Sequence, residues 1–270
     1  MNPLPEIAGT IFQTLTFLCK DNSPWIDDKL ESILKVVVLY LNGKNLNIAL
    51  TACDFLSEYL LYADQNRIQF FSASLPMLVP LILSGMQYHE DDFLDISPDS
   101  TEMINLETDN ETKTDTPTLR KAAAQLLDNL AINYIKQIVP FILQKSDQVF
   151  LSDSKWQAKE AVILAIGAIA KGSNDEMDPY LTKFVPVLLH MLSSEEKLVR
   201  SISCWTLSRY SAWISKNDEC LCSYIECMIR CLYDAQCVVK IAACTSLSYY
   251  IRGSSSSFCK YLPTIMKVLK

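Results

Sequence analysis

Four basic residues between positions 120 and 240 recur at an almost constant interval, each opening a stripe of small side chains. The words are Leu-Arg-Lys-Ala-Ala-Ala at 119–124, Ala-Lys-Glu-Ala at 158–161, Val-Arg-Ser-Ile-Ser-Cys at 199–204 and Val-Lys-Ile-Ala-Ala-Cys at 239–244. Their basic residues, Arg120, Lys159, Arg200 and Lys240, are 39, 41 and 40 residues apart. Alternating with them are segments of Leu, Ile and Val that carry proline: 75–83, 138–143, 184–189 and 261–266. Apolar residues recur at three and four positions almost throughout, the spacing of a helix with one buried face. The pattern predicts twelve helices, roughly 6–19, 25–42, 46–61, 68–87, 118–132, 135–150, 155–172, 177–194, 196–214, 218–234, 236–252 and 257–270.

Two alternating helix types with a period near 40 residues imply HEAT-type repeats. One helix pair cannot bury its apolar face alone, so neighbouring pairs stack and share a core. Small residues such as Ala122, Ala161 and Ala242 let stacked helices approach, and the prolines bend the first helix of each pair. The expected fold is an all-α solenoid of antiparallel helix pairs wound into a right-handed superhelix. The basic residues read as a ladder bonding across repeats. Helix 46–61 carries the same stripe at Ala49, Ala52 and Leu56, but Ala49 and Arg120 are 71 residues apart. The excess over one period is an insertion at 88–117. The expected organisation is therefore repeats over 1–87, an inserted loop at 88–117 and repeats again over 118–270. Neither end resembles a polar cap, so the chain reads as a section of a longer superhelix.

The insertion holds most of the negative charge. Residues 88–116 contain Glu90, Asp91, Asp92, Asp95, Asp99, Glu102, Glu107, Asp109, Glu111 and Asp115 against the single base Lys113. That segment carries −9 of a net −7, so the remainder is slightly positive. No basic cluster with interleaved aromatics points to nucleic acid. The longest apolar runs are half a membrane span and contain proline. With 6 glycines in 270 residues, no phosphate loop, dinucleotide fingerprint or nucleophile elbow can be assembled. Ten cysteines, eight of them between Cys204 and Cys259, read as reduced thiols acting as small hydrophobes. Cys220, Cys222, Cys227 and Cys231 match no common zinc spacing. Asp91-Asp92-Phe-Leu-Asp95 spells the magnesium motif of helical terpenoid synthases, but no second metal motif accompanies it. No metal, cofactor or catalytic residue is expected, and the chain is not expected to be an enzyme.

Three words carry a resemblance: Lys-Glu-Ala-Val-Ile-Leu-Ala-Ile-Gly-Ala-Ile-Ala at 159–170, Pro-Tyr-Leu at 179–181 and Leu-Val-Arg-Ser-Ile-Ser-Cys-Trp-Thr-Leu-Ser-Arg-Tyr at 198–210. They resemble the transportins, the karyopherin beta-2 type of nuclear import receptor in the importin-beta family. A looser similarity runs from about residue 9 to 270 and covers the middle of such a receptor. The resemblance implies binding of cargo proteins through extended, basic nuclear localisation signals ending in a proline-tyrosine pair. It maps that pocket onto Ala124, Gln125, Asp128, Leu164, Ile202, Trp205 and Arg209. Trp205 and Arg209 are four apart and share a helix face. An indole suits a proline ring, and a guanidinium can stack on or hydrogen-bond to tyrosine. The acidic loop resembles the segment through which the GTP form of Ran releases cargo. Ran and nucleoporins are thus implied partners, with shuttling between cytoplasm and nucleus. The sequence departs from the family at Gln125, where a small residue is usual, and at Tyr249, Tyr250 and Arg252, where acids are usual. The repeat by itself equally suits a HEAT scaffold subunit that organises other proteins without import activity.

Overall fold

A computed structural model describes residues 5–21, 24–62, 65–89, 117–172, 176–253 and 263. Every regular element among them is helical: α1 (Pro5–Lys20), α2 (Pro24–Leu41), α3 (Leu46–Leu61), α4 (Gln65–Ser72), α5 (Leu75–Gly85), α6 (Leu119–Phe150), α7 (Trp156–Ala168) with a 3-10 turn at Ile169–Gly172, α8 (Asp178–Met191), α9 (Lys197–Arg209), α10 (Ser211–Ile214), α11 (Asp218–Leu232) and α12 (Cys237–Gly253). The periodicity thus finds the helices. The ten acids of the insertion lie outside the described residues, as does the helix expected at 257–270 apart from Pro263.

The breaks within helices have local causes. The single helix expected at 68–87 is two, α4 and α5, separated at Ala73 and Ser74. Pro76 has no N–H to offer the carbonyl of Ser72, so a continuous helix would lose that bond; at the start of a new helix the missing donor costs nothing. The Ser74 hydroxyl donates to the Phe71 carbonyl at 2.6 Å and satisfies the end of α4. Helices expected at 118–132 and 135–150 are the two parts of α6, which departs from helical geometry at Tyr134 (φ −129°, ψ 21°). The Tyr134 hydroxyl donates to the Ile68 carbonyl at 2.8 Å. Asn45 and Asn217 cap α3 and α11, accepting from the N–H groups of Ile48 and Cys220 at 3.2 and 3.1 Å.

The chain divides into two compact units. The first holds the described residues up to Tyr88 together with those from 117 to Asp147. Here α3 packs against both α1 and α2, and α2 packs against α5, which makes two layers. A run of rings threads the core: Phe12 meets Tyr40 and Phe55, Phe55 meets Tyr59, Tyr59 meets Phe71, and Phe71 meets Tyr134. Centroid distances of 6.1–6.3 Å place each pair within favourable aromatic range. An ion pair the repeat pattern did not reveal joins residues 40 apart. Arg67 donates through Nε and Nη2 to Asp27 Oδ2 at 3.0 and 2.7 Å, and Asp27 Oδ1 accepts from the Tyr59 hydroxyl at 3.1 Å.

The second unit holds the described residues from Gln148 onward, with His89. One layer stacks α7, α9 and α12 in that order; the other stacks α8 on α11, and pairs α8–α9 and α11–α12 connect the layers. This is the alternation the 40-residue period requires. Two of these helices are buried nearly all round: Glu160 to Ala168 of α7, and Val199 and Ser201 to Ser208 of α9. A helix enclosed on all sides needs small residues where neighbours approach and internal partners for its polar groups. The Thr206 hydroxyl donates to the Ile163 carbonyl at 3.0 Å, and the Tyr210 hydroxyl to that of Ile166 at 2.6 Å.

Two of the basic residues expected to form a ladder, Arg200 and Lys240, meet at one carboxylate. Arg200 grips Asp234 of the next pair, Nε to Oδ2 at 2.7 Å and Nη2 to Oδ1 at 2.9 Å, and its Nη1 donates to the carbonyls of Ser194 and Glu195. Lys240 adds its charge to the same carboxylate. Arg120 is buried and lies over the Tyr88 ring, 4.2 Å from the centroid. Among the described cysteines all nine are free thiols; five are buried, Cys220 and Cys222 are half-buried, and Cys237 and Cys244 are exposed. No group of described residues is arranged to hold a metal ion.

Candidate cargo-signal site

In the second unit the site begins with a glycine inside a helix. Gly167 of α7 faces the Trp205 indole so closely that a Cβ there would stand 2.2 Å from Cζ3 and 2.9 Å from Cε3. Hydrogen at this position is what seats the benzo edge of the indole against α7. One turn later on α9, the Arg209 guanidinium lies over the same ring, 5.5 Å from its centroid, a cation–π arrangement. Burial lowers the Arg209 pKa, opposed by the phenol groups of Tyr210 and of Tyr249 on α12. The indole is therefore seated on backbone on one side and capped by a half-buried cation.

Trp205 is 8% exposed, Ile202 2% and Leu164 0%. Of the four expected residues in this unit, only Arg209 presents substantial surface. The α7 helix bearing Leu164 packs directly on α9, which bears the other three. In the first unit, Ala124, Gln125 and Asp128 occupy the first part of α6. Ala124 is fully buried, Asp128 half-buried and Gln125 exposed. The Gln125 Nε2 donates to Asn129 Oδ1 at 3.2 Å, one turn along the helix.

Sequence reasoning did not find the role of Gly167. A glycine costs a helix interior roughly 1 kcal/mol against alanine, and its place inside the 159–170 word was the available signal. Tyr249 is one of the departures from the family pattern; the structure puts its phenol within electrostatic reach of Arg209 and leaves it 39% exposed.

Residues 156–210 match the model of the HEAT-like repeat. The chain is 28% identical to mouse (Mus musculus) transportin-1 over 98% of its own length and 33% of that protein. It is 28% identical to importin subunit beta-2 of Schizosaccharomyces pombe, over 97% of this chain and 34% of the relative. This chain is homologous to the transportins. The transportin-like chain spans about a third of the length of these relatives. A solved structure of Kap95p with RanGDP superposes with a TM-score of 0.78 at 15% identity, covering 99% of this chain and 31% of that one. That likeness shows the HEAT-repeat solenoid fold.

Proposed function

We propose that this chain is a cargo-contacting section of a transportin-type nuclear import receptor. The similarity to transportin-1 and importin beta-2 along nearly the whole chain carries the reading. The chain binds proteins and performs no chemistry on them. Its ligands are cargo proteins bearing proline-tyrosine localisation signals, and the receptor shuttles between cytoplasm and nucleus. Ran in its GTP form drives release through the acidic insertion at 88–117, and nucleoporins bind the receptor in passage. Neither nucleic acid nor membrane is a partner on this reading; no described helix is long and apolar enough to cross a bilayer.

The binding step centres on the second unit. A disordered signal pays an ordering cost when it binds, so affinity must come from a few well-desolvated anchors. Arg209 supplies the accessible handle. Swinging its guanidinium off the ring exposes the indole face to a proline while the charged end meets the tyrosine.

The test is a fluorescence anisotropy titration of a labelled proline-tyrosine signal peptide. Arg209→Ala and Trp205→Ala are each expected to weaken binding by about 30-fold, the equivalent of roughly 2 kcal/mol for an anchor residue. Unchanged affinity in Arg209→Ala, with helicity preserved by circular dichroism, would refute the assignment. The burial of Ala124, Leu164, Ile202 and Trp205 favours a second reading, a HEAT scaffold whose inner helices only stabilise the stack. That reading expects no peptide binding and a stable complex with other subunits.

A further inference from the structure

We infer that the face of α7, α9 and α12 around Arg209 and Tyr249 takes an extended peptide whose residues beside its proline-tyrosine pair are acidic. The inference rests on the cargo reading proposed above and names the chemistry of the signal. The three helices form one layer, with α9 packed between α7 and α12. Their sequences hold six bases, Lys159, Lys197, Arg200, Arg209, Lys240 and Arg252, against one acid, Glu160. Glu160 is 1% exposed, so these helices offer no accessible carboxylate to a lysine or arginine of a ligand. Lys159, Lys197, Arg209 and Lys240 are all half-exposed. Asp234 neutralises Arg200 and faces Lys240 as well.

The acids of neighbouring segments stand away from Arg209. Glu196 caps the start of α9 and Arg209 ends it, so at 1.5 Å per residue the two are about 20 Å apart along the axis. Asp218 and Glu219 are exposed, but they open α11 in the other layer. Tyr249 supplies a second polar group on the ligand-facing side. It follows Arg209 by 40 residues, one repeat interval, and so holds the place on α12 that Arg209 holds on α9. It is 39% exposed, and its phenol opposes the lowering of the Arg209 pKa by burial. A guanidinium and a phenol hydroxyl both donate hydrogen bonds, and a carboxylate accepts from both. The several N–H donors of the guanidinium let it serve the signal's tyrosine and a flanking carboxylate together. A ligand cation at the same spot meets the Arg209 charge in a half-buried site, and such a like-charge meeting costs affinity.

The test is fluorescence anisotropy with the whole chain and four labelled peptides. Three share a proline-tyrosine pair and differ only in the flanking residues, which are Asp and Glu, Ser and Gly, or Lys and Arg. The fourth keeps the acidic flank and has Ala-Ala in place of the pair. The acidic peptide is expected to bind about 10-fold more tightly than the neutral one, and the basic peptide more weakly than both. Raising the salt concentration narrows the spread. Tyr249→Phe removes only the hydroxyl; it weakens the acidic peptide about 5-fold and leaves the neutral one as it was. Tyr249→Asp puts the basic peptide ahead of the acidic one. A basic peptide that binds wild type as tightly as the acidic peptide, or more tightly, overturns the inference and leaves the cargo reading standing. So does an acidic peptide that Tyr249→Phe does not weaken. An acidic peptide that binds wild type equally well with Ala-Ala supports the charge preference and refutes the proline-tyrosine reading. Binding of none of the four overturns both. The peptide series on wild type decides the matter even where a Tyr249 variant folds poorly.

Discussion

Replacing Gly167 by alanine probes the seat of the indole most directly. The added methyl would stand 2.2 Å from Trp205 Cζ3, 2.9 Å from Cε3 and 2.7 Å from Thr206 Oγ1. Carbon atoms in contact normally sit about 3.5–4.0 Å apart, so the indole or the whole of α9 must move by more than 1 Å. Overpacking of this kind costs about 1–3 kcal/mol, and the depth of the clash puts Gly167→Ala at the upper end. The Thr206 hydroxyl is pushed from the Ile163 carbonyl, a further loss of about 1 kcal/mol. Alanine returns roughly 1 kcal/mol in helix propensity. The net loss is about 3 kcal/mol, which for a chain of this size lowers the thermal midpoint by roughly 6–12 °C. Gly9→Ala is the control: nothing lies within 4 Å of a Cβ there, so only the propensity gain of up to about 1 kcal/mol remains. The assay is thermal unfolding followed by circular dichroism on both variants. If Gly167→Ala melts at or above the wild-type temperature, the close approach of α9 to α7 is not as described here.

Two further substitutions test the contacts around this core. Asp234→Asn removes the carboxylate that Arg200 holds; since both side chains are largely buried, the expected cost at neutral pH is on the order of 2–3 kcal/mol by urea denaturation. Burial works against the Asp234 carboxylate, but the Arg200 hydrogen bonds, the Gln236 N–H and the Arg200 and Lys240 charges together hold its pKa below the usual value. The folded state therefore binds the proton more weakly than the unfolded chain. The advantage of wild type over Asp234→Asn is full above the ordinary carboxylate pKa near 4 and shrinks as the pH falls below it; an advantage unchanged between pH 7 and pH 3 would contradict the pairing. Tyr210→Phe deletes the 2.6 Å bond to the Ile166 carbonyl and should cost about 1 kcal/mol or slightly more, with faster amide exchange in the 3-10 turn at Ile169–Gly172. Exchange identical to wild type would show that the hydroxyl does not hold that turn.

Helix positions were legible because periodicity is a local property. Apolar residues at three- and four-residue spacing mark α1, α2, α3, α8, α9, α11 and α12 to within a few residues, whatever they pack against. The helix breaks were less legible. Pro76 marks the split between α4 and α5, whereas the breaks at Tyr134 and Tyr210 coincide with hydroxyls that bond to carbonyls far away in the sequence. Of the candidate site, the pairing of Trp205 with Arg209 followed from their spacing of four on one helix. How little of Trp205, Ile202 and Leu164 reaches solvent did not follow, because exposure depends on which helix lies alongside.

The amino-acid sequence alone determined that this chain folds into stacked helix pairs, because a 40-residue recurrence of half-apolar helices has few other ways to leave water. It also determined which helix carries the indole and the guanidinium. The tertiary structure decided what those groups meet. Gly167 lies 38 positions from Trp205, and Asp27 lies 40 from Arg67. Such meetings depend on how closely two helix backbones approach, which is set by side-chain volumes summed over whole interfaces and appears in no single stretch of residues.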